Sequence, residues 1–256
     1  MVRGLATFKN YFEAYSDNYI IIGGTACDII IDKAGFIPRV TKDIDIILVI
    51  EALNTDFVKQ FWQFIEAGKY VCREKSDSNR MYYRFKNPES SEFPYQLELF
   101  ARNPDLFDLD EGTHLTPIPV DDDLTSLSAI LLDQEYYNYL IENSSIEDEV
   151  HLANIEALIC LKAKAYLDIA ERIVAGSKED LKQLRKHKGD IFRVGVMLTE
   201  SDVFELPEGI KTDMQTFVNA IVKDLPDKNM FKSMGLGSIR IKDVFNQITA
   251  SFQLNR

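Results

Sequence analysis

The chain has 256 residues, 46% hydrophobic and 27% charged, with 12 Gly, 8 Pro and 11% aromatic residues. This composition excludes collagen, coiled coil and wholesale disorder. At roughly 100–200 residues per domain the length allows one large domain or two modest ones, and it suffices to bury about 70–75% of the unfolded surface without a disulfide or metal staple. The net charge of −12 is local: residues 101–150 hold 13 acidic residues against one basic residue, while the rest of the chain is nearly neutral. Weak repulsion of polyanions is expected, without excluding nucleic acid.

In chain order, Phe8, Tyr11, Phe12 and Tyr15 recur at helical spacing and predict a short opening helix. Tyr19–Ile22 reads as a buried strand ended by Gly23-Gly24, followed by a second helix with Thr25 near its start. Lys42–Glu51 alternates and then turns apolar, as a strand entering a core does. Asn54 or Thr55 can cap a helix with Phe57, Phe61, Phe64 and Ile65 on one face, ending near Gly68. Lys69–Arg73, Met81–Phe85 and Pro94–Ala101 read as strands. An acidic, Pro-bearing connection over 103–125 leads to a candidate strand at Leu127–Leu132 and a short helix around Tyr136–Ile141. From Asn154 the pattern is helical, with Ile155, Leu158, Ile159, Lys162 and Tyr166 on one face and later helices near Glu179–Leu198, Ile210–Lys223 and Lys242–Phe252.

The expectation is therefore an α+β protein: a mixed sheet flanked by helices over 1–150, then a helical domain over 151–256 that completes a cleft. No apolar run approaches the roughly 20 residues of a membrane helix. The first ten residues lack an apolar core, so a cytoplasmic protein without membrane contact is expected. Three scattered cysteines and three scattered histidines give no zinc spacing, and the cysteines read as small buried hydrophobes.

The chemistry concentrates in Gly23-Gly24 and Asp43-Ile44-Asp45-Ile46. Alternation puts Asp43 and Asp45 on one side of their strand, about 7 Å apart, where carboxylates can hold a hard divalent cation. Gly23-Gly24 at a strand-to-helix turn opens backbone amides to a phosphate. Neither GxGxxG nor GxxxxGK[ST] occurs, and Gly235-Leu236-Gly237 reads as a turn. Glu98, in Gln96-Leu97-Glu98-Leu99, also faces one side of a strand. Other readings compete: Asp43 and Asp45 as the wet half of an edge strand, Glu98 as a salt-bridge partner of Arg84 or Arg102, and Lys164 in place of Lys162. The run Lys182–Lys188 reads as a solvated helix face, with RNA contact the competing reading.

Gly-Gly with a downstream Asp-x-Asp strand resembles the polymerase-beta-like nucleotidyltransferase superfamily. Gly23-Gly24-Thr25-Ala26, Arg39-Val40-Thr41-Lys42-Asp43-Ile44-Asp45, the Lys162 helix and the basic-x-x-Asp element ending at Asp190 are similar to the abortive-infection (AbiE-type) nucleotidyltransferase toxins of bacteria, over roughly residues 18–198. The resemblance implies a nucleotidyltransferase-type sheet and a two-metal Mg²⁺ site on Asp43, Asp45 and Glu98. It implies an NTP held by Gly23, Gly24, Thr25, Arg39, Thr41 and Lys162, with Lys186 and Asp190 in acceptor or structural roles. The implied reaction moves a nucleoside monophosphate to a hydroxyl of a tRNA end or a protein side chain, in a toxin opposed by an antitoxin. The alternative is a non-catalytic nucleotide-binding protein that acts through a partner.

Overall fold

The computed structural model describes residues 2–39, 41–52, 54–71, 82–100, 133–176, 181–227 and 229–255. Along the chain run α1 (Leu5–Phe12), β1 (Tyr19–Ile22), α2 (Gly23–Lys33), β2 (Asp43–Leu48), α3 (Thr55–Gly68), β3 (Tyr82–Lys86) and β4 (Gln96–Phe100). There follow α4 (Gln134–Glu142), β5 (Ser144–Glu147), β6 (Val150–Ala153), α5 (Ile155–Val174), α6 (Leu181–Gly195), α7 (Glu208–Ile221), α8 (Asn229–Ser233) and α9 (Ile241–Ser251). The strands form one open, mixed sheet in the order β3-β4-β2-β1-β6-β5. β1–β2, β3–β4 and β5–β6 are antiparallel, while β1–β6 and β2–β4 are parallel.

The chain divides into two compact units that interleave in sequence. The first comprises residues 1–28, 40–120 and 144–153, and the second 29–39, 121–143 and 154–256. The chain leaves the first unit within α2 and returns to it for the β5–β6 hairpin.

In the first unit β1 is buried along its whole length, and its four residues have no wet face to alternate with. An aromatic cluster from α1 and α3 sits against it: Phe8 and Phe12 lie 4.6 Å apart by ring centroid, and Phe12 lies 5.3 Å from Phe64. Asn54 caps α3 by accepting from the Phe57 amide at 2.9 Å, as the sequence predicts, and Lys69 closes the helix in the left-handed region. Phe12 and Phe64 are fully buried. Phe64→Ala is expected to cost about 3–5 kcal/mol, read from urea unfolding, because the ring's neighbours cannot collapse into the void. A cost below 1 kcal/mol would show the cluster to be loosely packed.

The β5–β6 hairpin escapes the sequence reading. Ser144-Ser145-Ile146-Glu147 carries no apolar face, and the turn at Asp148-Glu149 uses two non-glycine residues at positive φ, 46° and 68°. Register brings β6 into the sheet through Leu152 opposite Ile21. The expected strand at Leu127–Leu132 and the 103–125 connection fall outside the described residues; of the expected strand Lys69–Arg73, residues 69–71 are described, and among them Lys69 closes α3 and only Val71 forms a bridge, to Lys86.

The second unit is helical. α5 carries a wide buried face, Leu158, Ile159, Cys160, Ala163 and Ile169 among it, and packs against α6 and α7. Cys27 and Cys160 are buried, as expected; Cys72 lies outside the described residues. Among the described residues no helix is long and apolar enough to cross a membrane.

Candidate functional site

Two groups of candidate residues emerge, one in each unit. In the first unit the β1–β2 register sets Ile22 opposite Asp45, so the chain enters Gly23 directly beside that aspartate. Gly23 sits at φ 69°, and a Cβ built there would collide with the Asp45 carboxylate, 2.9 Å from its Cγ. Only glycine adopts this backbone cheaply and leaves the space the carboxylate occupies. The two sequence signals, Gly-Gly and Asp-x-Asp, are thus one packed unit.

The β2–β4 register places Asp43 opposite Gln96 and Asp45 opposite Glu98. Side chains alternate across a strand, so Asp43, Asp45, Gln96 and Glu98 share one side of the sheet. Behind them, fully buried Thr25 donates its hydroxyl to the Asp43 carbonyl. Asp28, one turn further along α2, accepts from both the amide and the hydroxyl of Thr41, each at 2.6 Å. Thr25 and Thr41, assigned to nucleotide in the sequence reading, therefore hold the entry of β2 in place. Asp28 was not anticipated; a buried acidic residue spaced one turn from Gly24 is the signal that points to it. Gly24 is buried in the first turn of α2.

Glu98 is 5% exposed and its Oε1 accepts from Arg84 Nε at 2.9 Å and from Gln96 at 2.5 Å. Burial, then the charge of Asp45, push its carboxyl up to about 8 in spite of Arg84, with Asp43 adding to the rise. The sign of the linkage follows: a carboxyl raised above its unfolded value stabilises the fold below about pH 4.3 and loses that contribution as pH rises through 8. In the presence of a chelator, stability is expected to fall from about pH 4.3 to about pH 8 and to level off above it. Asp45→Asn should flatten that fall by on the order of 1–2 kcal/mol. Parallel pH profiles for the two proteins would show that the carboxylates do not repel.

In the second unit Asp190, 2% exposed on α6, gathers two cations. Lys162 of α5 donates to its Oδ2 at 2.9 Å, and Arg39 pairs with its Oδ1 at 3.0 Å. Burial alone would raise the Asp190 carboxyl, but Lys162, Arg39 and Lys186 together hold it below the usual range. Asp190, given an acceptor or structural role by the resemblance, has Lys162 and Arg39 as its direct partners, while Lys188 is buried and donates to the Asp224 carboxylate at 2.7 Å. Lys162 itself is 6% exposed, whereas its rival Lys164 pairs at the surface with Asp213 at 3.2 Å.

His187, half-buried, sits among these charges. Burial and then Lys162 and Lys186 push its imidazole down to about 3, so it is neutral at physiological pH. Its Nδ1 is sealed from solvent and has no hydrogen-bond partner among the described residues.

The donor chemistry of the first group fits a hard divalent cation: the ligands are carboxylate oxygens, and their mutual repulsion is what a cation relieves. Among the described residues, however, no three His, Cys, Asp or Glu side chains form a ready-made metal cage. Glu98 has its Oε1 committed to Arg84 and Gln96. No family model matches the chain, and no curated protein matches it.

Proposed function

We propose that the chain is a divalent-cation-dependent nucleotidyltransferase of the kind its motifs resemble, moving a nucleoside monophosphate from an NTP to a hydroxyl and releasing pyrophosphate. The observation that supports it most is the packing of the Asp45 carboxylate onto Gly23, with Glu98 beside it in register. Asp43 and Asp45, with Glu98, are the residues that would hold Mg²⁺. The cation would offset the charge of the triphosphate and of the departing pyrophosphate. Gly23 and Gly24, in the first turn of α2, are the backbone positions the resemblance assigns to the NTP phosphates. In the helical unit Lys162 and Arg39, aimed by Asp190, are the cations assigned to phosphate. Glu98, in register beside Asp45, is the residue that would take the proton of the attacking hydroxyl. The acceptor in this reading is a tRNA end or a protein side chain, and the biological role that of a toxin held by an antitoxin protein.

The test is transfer of label from each α-³²P NTP, with Mg²⁺, into RNA and protein fractions. Transfer from at least one NTP is expected, and its complete loss in Asp43→Asn/Asp45→Asn; undiminished transfer by that variant would refute the assignment. A second reading, a nucleotide-binding protein without transfer activity, is favoured by the buried Arg84–Glu98 ion pair, which occupies an oxygen the metal would need. It predicts nucleotide binding without label transfer, and Arg84→Met would then leave binding unchanged.

A further inference from the structure

The helical unit contains an open cavity of about 1010 Å³ along α6, of whose lining the preceding reading uses only Arg39 and Asp190. Its lining includes six cationic side chains, Arg39, Lys182, Arg185, Lys186, Lys188 and Arg193, against three carboxylates, Asp190, Asp224 and Asp227. This excess of positive charge stands out in a chain whose net charge is −12. Lys182, Lys186, Gly189 and Arg193 follow each other at intervals of four, three and four residues, so they form a single stripe down one face of α6. At 1.5 Å per residue the stripe is about 16 Å long. Lys182, Arg185 and Lys186 are exposed to solvent, able to meet a ligand.

Gly189 is the second, independent observation. It sits in the middle of α6 and lines the cavity. A mid-helix glycine weakens a helix relative to alanine. Among the described residues nothing requires it there, since a Cβ built at Gly189 would meet no atom within 4 Å. A residue that weakens the helix and relieves no internal clash makes sense where something outside the chain approaches the backbone closely.

We infer that this cavity is a binding site for a run of linked phosphates, lying over the bare backbone of Gly189 between Lys182, Lys186 and Arg193. Linked phosphates come either as a free polyphosphate, such as a nucleotide tail, or as the backbone of a single nucleic-acid strand. The site shares Arg39 and Asp190 with the proposed reading but rests on Lys182, Lys186 and Arg193, and it is tested without metal.

The probes are tripolyphosphate, by calorimetry, and a fluorescein-labelled single-stranded RNA 12-mer, by anisotropy, both in EDTA at low salt. Saturable binding of either is expected, weakened at least tenfold in Lys186→Glu/Arg193→Glu. The salt slope of strand binding should fall by about 1 for each single neutralisation. Gly189→Ala is expected to raise Tm by about 2–4 °C while weakening binding several-fold, a pairing that a folding defect cannot produce. Tight binding of the strand alone identifies a nucleic-acid backbone, and comparable binding of tripolyphosphate identifies a free polyphosphate. Absence of saturable binding by both probes, or affinity unchanged in either variant, overturns the proposal. Because the chelator is present throughout, this outcome is independent of whether Asp43 and Asp45 support transfer.

Discussion

Gly23→Ala is expected to reduce kcat/KM for nucleotidyl transfer about a hundredfold, because the methyl group lands where the Asp45 carboxylate lies. Two costs combine. An L-residue in the left-handed region costs roughly 1–2 kcal/mol. Pushing the carboxylate aside adds the 1–3 kcal/mol typical of an overpacked site. Unfolding in urea should therefore show a loss of about 2–5 kcal/mol. Gly35 provides the control: it too has positive φ, 80°, but a Cβ there meets nothing within 4 Å. Gly35→Ala should pay the backbone cost alone and leave transfer unchanged. If Gly23→Ala keeps full activity, the contact between turn and carboxylate has no part in the chemistry.

Asp190→Ala is the second large effect. It strands Lys162, whose side chain is 7% exposed, as a buried cation without its carboxylate, while Arg39, a third exposed, can turn to water. Breaking one partner of a buried pair costs about 3–5 kcal/mol. The pH dependence has the opposite sign to that of Glu98. The Asp190 carboxyl is held low in the folded protein. Its contribution is present above the unfolded value of about 3.9 and is lost as pH falls through the lower folded value. The stability gap between wild type and Asp190→Ala should thus be constant from pH 5 upward and close in stronger acid. Replacing both partners, Lys162→Met with Asp190→Leu, should recover most of the stability, since buried pairs often exchange with apolar side chains at little cost. Transfer should stay abolished. Recovery of activity in that double variant would reduce the pair to a packing device.

Much of this arrangement is legible in the sequence, and what is hidden has identifiable causes. β1, β2 and β4 announce themselves because a run such as Tyr19–Ile22 or the alternation Asp43-Ile44-Asp45-Ile46 is local information. Lys162 is legible as the polar residue on the otherwise apolar face of α5. Register is not local: that Asp45 faces Glu98 on one side and meets Gly23 at the end of β1 depends on pairings across 53 and 22 residues. Asp190 illustrates the same limit. Its sequence neighbours Lys186 and Lys188 look like its partners, but helix geometry sends Lys188 to Asp224, and the carboxylate meets Lys162 and Arg39 from 28 and 151 residues away. The β5–β6 hairpin stays hidden because its first strand is polar and its turn lacks glycine. His187 resembles a surface residue in a basic run, and only packing seals its Nδ1 from water.

The most direct test is a thermal-shift panel of ATP, CTP, GTP and UTP, with and without Mg²⁺, on wild type and on Asp43→Asn/Asp45→Asn. A nucleotide at a hundred times its Kd stabilises the folded state by about 2.7 kcal/mol, a rise of several degrees at this chain length. The account predicts such a rise for at least one nucleotide, dependent on Mg²⁺ and absent in the variant. A rise of the same size without Mg²⁺, or one that survives in the variant, would contradict it.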